Sequence, residues 1–173
     1  MIKLKHIRLK QAGLCGPSAL KMIMDHYDVI VSEDELCQIA GASIKKGTTY
    51  NGLAKAAKHF GFLVFLKEKS SLNDLRYFIR KGIPVIVDWF LEDDGHYSVV
   101  VDITARNVTL MDPSLKEGDR KLSTRKFLRI WFDFEGDFIK DPSDLILRLI
   151  LVIIPPKLQN FEEWPDGFRK NSK

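Results

Sequence analysis

The chain of 173 residues contains only two cysteines, Cys15 and Cys37, too few for a disulfide framework. It has no Cys-x-x-Cys pair and no histidines at ligand spacing, which argues against a metal centre. No glycine-rich phosphate loop is present, so no nucleotide cofactor is indicated. The longest apolar run, Leu145 to Ile154, is ten residues interrupted by Arg148, whereas a membrane span needs about 20. A buried strand is the better reading. The opening Met1-Ile-Lys-Leu-Lys-His6 has no apolar core of the kind a signal peptide needs. Neither charge sign dominates: 27 Lys and Arg stand against 23 Asp and Glu. The basic residues are scattered, and Lys67-Glu68-Lys69 alternates in sign, as on a solvated surface rather than a nucleic-acid stripe. These absences together predict a soluble, cytoplasmic protein with no cofactor, no metal, no membrane span and no nucleic-acid partner; the oligomeric state is left open.

Within the remaining 45% hydrophobic, 29% charged sequence, periodicity changes partway along. Residues 2–9 alternate loosely and suggest a short edge strand. Leu20, Ile23, Met24 and Tyr27 then recur at helical spacing, predicting a helix over about 17–28. Ser32 followed by Glu35 is a capping-box signal for a second helix that Gly41 ends. Thr49 opens a third, with Leu53, Ala56, Ala57 and Phe60 on one face. A strand is expected at 62–66, a helix from Ser71 to Gly82, and a buried strand at 84–90. Asp93-Asp94-Gly95 reads as a turn, His96–Ile103 and Val108–Met111 as a hairpin turning at Asn107, Ser123–Trp131 as a short helix, and 145–154 as the last strand. Helices first and an antiparallel sheet of four or five strands afterwards is the α+β pattern. The expected organisation is one domain over 1–155, with a helical lobe at about 11–61 and a sheet lobe at about 62–155. A tail, 156–173, is expected to pack back on it through Phe161, Trp164 and Phe168.

Cys15 precedes Gly16-Pro17-Ser18, a sequence suited to a helix start. A thiol there faces the unpaired N–H groups and positive end of the helix, which favours the thiolate, the nucleophilic form. A nucleophile needs a base, a group to orient the base, and an oxyanion site. Among His6, His26, His59 and His96, the last stands apart because it opens the most apolar strand in the chain. Asp112 closes the strand paired with it, so the hairpin brings both to one rim, and Pro113 ends the ladder. Gln11 offers a side-chain amide just upstream of the cysteine, beside the backbone N–H of Cys15. Cys37, among Leu36, Ile39 and Ala40, reads as a buried small hydrophobe.

In order, Gln11, Cys15-Gly-Pro-Ser-Ala-Leu-Lys-Met22, Gly95-His-Tyr-Ser-Val-Val-Val101 and Met111-Asp-Pro-Ser114 resemble the bacteriocin-processing (double-glycine) cysteine peptidase family, which belongs to the papain-like cysteine peptidases. The segment from Leu122 to Phe127 and on to Trp131 resembles the one that comes after the Asp in such domains. The resemblance implies a papain-like fold with a cleft between helical lobe and sheet. It also implies Cys15 as nucleophile, His96 as general base, Asp112 as its orienter and Gln11 as oxyanion donor. The substrate would be a peptide or protein, with a small residue such as Gly before the cut. Two departures stand out: the family's Gln usually lies further upstream than four residues, and Leu14 occupies a position commonly acidic in exporter-linked members. The same architecture also hosts amidases, deamidases and transglutaminase-like acyl transferases, and a non-catalytic peptide-binding module could retain it.

Overall fold

A computed structural model describes residues 1–134, 136–158 and 169–170. Its first helix, α1 (Cys15–His26), differs from the other α-helices in how it starts: Leu14 is its N-cap and no side chain caps it. The later helices are capped by hydroxyls. Ser32 Oγ accepts from the Glu35 N–H to open α2 (Glu33–Ala40), and Thr49 Oγ1 accepts from Gly52 to open α3 (Tyr50–His59). Gly41, at φ 69°, ends α2 as its position predicts. After β1 (Leu63–Lys67), Ser71 and Asp74 exchange side-chain and backbone bonds to start α4 (Leu72–Arg80).

The sheet then builds from β2 (Val85–Leu91), β3 (Asp94–Ile103), β4 (Asn107–Met111) and β5 (Asp119–Ser123). Ser123 caps α5 (Thr124–Ile130), and β6 (Phe132–Phe134), β7 (Leu145–Leu147), β8 (Ile150–Ile154) and β9 (Arg169–Lys170) come after it. The main sheet runs β5-β4-β3-β2-β8-β1-β9, with every described pairing antiparallel; β6 and β7 form a separate ribbon. This is the α+β, papain-like arrangement that the motifs imply.

Alternating strand residues feed two cores. Ile86, Tyr97, Val99, Val101, Leu151 and Ile153 join the side chains of α1–α3. Val85, Val87, Trp89, Val100, Ile150 and Val152 join Leu75 and Phe78 of α4 and Phe127 of α5.

Several expected elements are corrected by the structure. Residues 1–9 form no strand; Ile2 and Leu9 make isolated backbone bonds to Val101 and Pro113, while Ile2, Leu4, Ile7 and Leu9 pack on the core. The β2–β3 turn lies at Glu92-Asp93, with Glu92 at φ 57°, so Gly95 is a strand residue paired with Phe90. The next turn occupies 104–106, and Asn107 already pairs with Ser123. The apolar run 145–154 is broken at Arg148, φ 50°, and serves two sheets: β7 pairs with β6, whereas β8 fills the slot between β2 and β1. Among the described residues the main sheet has seven strands, not four or five, partly because β5 had no apolar pattern to announce it. In the tail, Phe161, Trp164 and Phe168 lie outside the described residues; Arg169 and Lys170 pair with Leu66 and Phe65.

Candidate active site

Cys15 is the first residue of α1 and is 8% exposed. Two features seat the start of α1, one against β3 and one against α2. Gly16 lets the helix approach: a Cβ there would stand 3.2 Å from Tyr97 Cδ2 and from Leu53 Cδ2. Ser18, buried one turn further on, hydrogen-bonds the buried Glu33 of α2 and lies 2.9 Å from the Leu14 carbonyl. Lys10 stands 3.6 Å from Glu33 and 3.4 Å from Asp34, tying the segment before the cysteine to α2.

His96, the third residue of β3, is buried, and its Nε2 lies 2.7 Å from Asp112 Oδ1. Asp112 is wholly buried just past the end of β4 and is held from several sides. The Ser114 N–H and Oγ–H both donate to Oδ1 at 2.8 Å, and Arg120 Nε–H of β5 donates to Oδ2 at 2.5 Å. The Asp112 N–H donates to the Gly118 carbonyl, and His6 Nε2 lies 3.2 Å from the Asp112 carbonyl. Burial alone would raise the Asp112 pKa, but the His96 bond and charge and the Ser114 donors outweigh it, holding the carboxyl far below its usual range. It is therefore an acceptor, so His96 Nε2 carries the donated proton and Nδ1 is left for another partner.

Cys15 is the other group that bears on the ring. Burial works against a charge on His96, but hydrogen bonds to Asp112 and Cys15, and the charges of both, raise its pKa to about 9. The ring stands edge-on to its cross-strand neighbour Trp89, centroids 5.6 Å apart. Trp89 Nε1–H donates to Ser98 Oγ at 3.1 Å, and the Arg120 guanidinium lies 5.6 Å from the indole centre. The imidazole is thus fixed in orientation by packing as well as by Asp112.

The structure brings together three of the four residues singled out from sequence. The fourth, Gln11, lies in the exposed bend before α1; its carbonyl accepts from the Leu14 N–H at 3.3 Å. Cys37 is half-buried rather than buried, because its turn of α2 is near the surface. Burial first, then Glu33 and Asp34, push its thiol pKa up. Sequence reasoning missed Ser114, Arg120 and Trp89. The Ser after Asp112-Pro113 carries a local signal, since short hydroxyl side chains bond backward across such turns. Arg120 sits in a charged edge strand where nothing local marks it. Among the described residues no group of three or more His, Cys, Asp or Glu could hold a metal ion, and no helix is long and apolar enough to cross a membrane.

Comparison with known proteins adds an independent line. A family model described as the Peptidase C39 family matches residues 3–134. An uncharacterized protein of Methanothermobacter thermautotrophicus is 41% identical over 101 residues, covering 58% of this chain and 66% of that protein. The pediocin PA-1 transport/processing ATP-binding protein PedD of Pediococcus acidilactici is 32% identical over 120 residues, 68% of this chain but only 16% of that one. Among solved structures, the peptidase domain of Streptococcus ComA, a bi-functional ABC transporter, superposes with a TM-score of 0.69 at 23% identity, covering 90% of this chain and 99% of that domain. A double glycine motif protease from an AMS/PCAT transporter, solved in complex with its leader peptide, gives 0.63 at 20% identity, covering 88% and 92%. At these identities the superpositions establish the fold.

Proposed function

The chain belongs to the peptidase C39 family, and from that premise we propose that it is a cysteine peptidase that cuts a peptide with small residues before the scissile bond. The observation that carries the reading is the series Cys15, His96, Asp112, in which a buried carboxylate holds the imidazole and the imidazole answers to the thiol. Cys15 thiolate attacks the peptide carbonyl carbon, forming a C–S bond as the carbonyl electrons move to oxygen. The uncapped start of α1 leaves the Cys15 N–H to meet that oxyanion, and the Gln11 amide serves as second donor by turning in from the exposed bend before α1. Collapse of the intermediate breaks the C–N bond, and imidazolium His96 gives its proton to the departing amine. Water, deprotonated by His96, then hydrolyses the thioester and restores the thiol couple.

The complex of the AMS/PCAT protease with a leader peptide supports a peptide of that kind as substrate. The test is incubation with peptides carrying Gly-Gly, Gly-Ala or bulkier pairs, read by mass spectrometry. A new carboxyl terminus after the small pair, lost in Cys15→Ala, is the expected result. Ammonia release without chain cleavage would assign a deamidase instead, and binding without any covalent adduct would assign a non-catalytic module. Gln11→Ala is expected to lower kcat by about 10²–10³ with little change in KM.

A further inference from the structure

A second set of ionisable side chains stands beside Cys15 and takes no part in that reaction scheme. Asp88, in the apolar strand β2, is 1% exposed, and neither of its carboxyl oxygens has a hydrogen-bond partner among the described residues. Its cross-strand neighbour is Tyr97, also buried. Asp133 approaches from β6. Its carboxyl fills the space over the Gly95 Cα, so a Cβ at Gly95 would collide with Asp133 Oδ2. The approach is fixed by Phe90, which stacks on both Phe132 and Phe134, centroids 5.2 and 5.5 Å away, on either side of Asp133 in sequence.

The titratable groups that face Asp88 are therefore Asp133 from β6, Tyr97 from β3 and Cys15 from α1. Burial first, then the Asp133 charge, drive the Asp88 carboxyl well above its ordinary range; Tyr97 counteracts this, and a charge on Cys15 adds to it. The Tyr97 phenol is likewise kept neutral, by burial and then by the two carboxyls. A buried carboxyl that faces a second one does not ionise together with it. The shared proton belongs mainly to Asp88, the more deeply buried of the two. Coupling is reciprocal: if a thiolate raises the proton affinity of Asp88, a charge on the pair opposes the thiolate.

We propose that Asp88 and Asp133 form a proton-sharing carboxyl pair whose single negative charge, held beside Cys15, sets how readily the thiolate–imidazolium couple forms. The proposal rests on the reading of Cys15 as nucleophile. Its members are positioning residues, since Asp88 is out of reach of any substrate. Gly95 belongs to the same device, because only a residue without a side chain leaves room for the Asp133 carboxyl.

The test combines two readouts. Infrared difference spectra between wild type and Asp88→Asn, at neutral pH, should show a protonated-carboxyl band that the variant lacks. Iodoacetamide alkylation of Cys15, measured by mass spectrometry on the acid side of neutrality, should be several-fold faster in Asp133→Asn than in wild type, because Asp88 then stays neutral and no charge opposes the thiolate. Asp88→Asn, which leaves the Asp133 charge in place, should give a clearly smaller gain. Absence of the band in wild type, or superimposable alkylation profiles for wild type and Asp133→Asn, would overturn the pairing. Should Asp88→Asn fail to fold, the Asp133→Asn comparison and isotope-edited spectra of the wild type decide alone. A wild-type Cys15 no more reactive than Cys37 would instead sink the peptidase reading, while the infrared band would still judge the carboxyl pair.

Discussion

Asp112 holds His96 through one carboxylate oxygen and Arg120 through the other, at 2.7 and 2.5 Å, while being wholly excluded from solvent. A buried carboxylate with a cation on each side is neutralised twice over, so removing it takes the anion away from two groups at once. Asp112→Ala is expected to drop the His96 pKa from about 9 toward or below its ordinary 6.5, since burial then acts unopposed by its strongest partner. An NMR titration of the ring checks this. Unfolding free energy should fall by about 3–5 kcal/mol, the usual cost of breaking a buried ion pair by deleting one member.

Stability should depend on pH through the same ring. Its folded pKa, about 9, lies above the ordinary 6.5. A raised pKa means the folded state binds the proton more tightly, so this contribution is full below 6.5 and disappears as pH rises through about 9. Denaturant melts across that window should show a decline that His96→Gln flattens. Peptide cleavage should fall along the same alkaline limb, because the leaving amine then lacks its proton donor.

The two cysteines should separate cleanly in alkylation. Cys37 is half-buried and its thiol is pushed up by burial and by Glu33 and Asp34. Cys15 should therefore carry the first adduct at neutral pH, and Cys15→Ala should leave only slow labelling at Cys37. His96→Ala should slow the Cys15 reaction without changing that at Cys37. Preferential labelling of Cys37 in the wild type would contradict the assignment.

Gly16 tests the seating of α1. A Cβ already meets Leu53 and Tyr97 at 3.2 Å, so Gly16→Val should cost about 1–3 kcal/mol through overpacking. It should also lower kcat more than KM, since the helix that carries the sulfur is pushed away from β3. Thermal melts and steady-state kinetics on one preparation distinguish the two effects.

How far each feature can be read from the chain depends on the range of the interaction behind it. Ser32, Thr49, Ser71 and Ser123 mark helix starts because a hydroxyl and the N–H it accepts are three residues apart. His96 and Asp112 could be paired because a short hairpin joins them. β5 escaped detection because an edge strand reading Asp-Arg-Lys-Leu-Ser carries no apolar alternation. The break at Arg148 was hidden by apolar residues on both sides, which look alike whichever sheet takes them. Asp88 does stand out as the charge inside Pro84–Phe90, but its partner lies 45 residues further along, beyond any local pattern.

The slot that β8 fills has a consequence for how the protein comes into being. Because β8 is inserted between β2 and β1, neighbours in space are completed by a segment made more than fifty residues after β2 ends. A nascent chain still short of Ile154 has its thiol and imidazole synthesised but lacks the strand that joins β1 to the part of the sheet that carries the imidazole. Assembly of the site is thereby coupled to synthesis of β8, and the reactivity of the Cys15 thiol should appear in one step once residue 154 is available rather than growing with chain length.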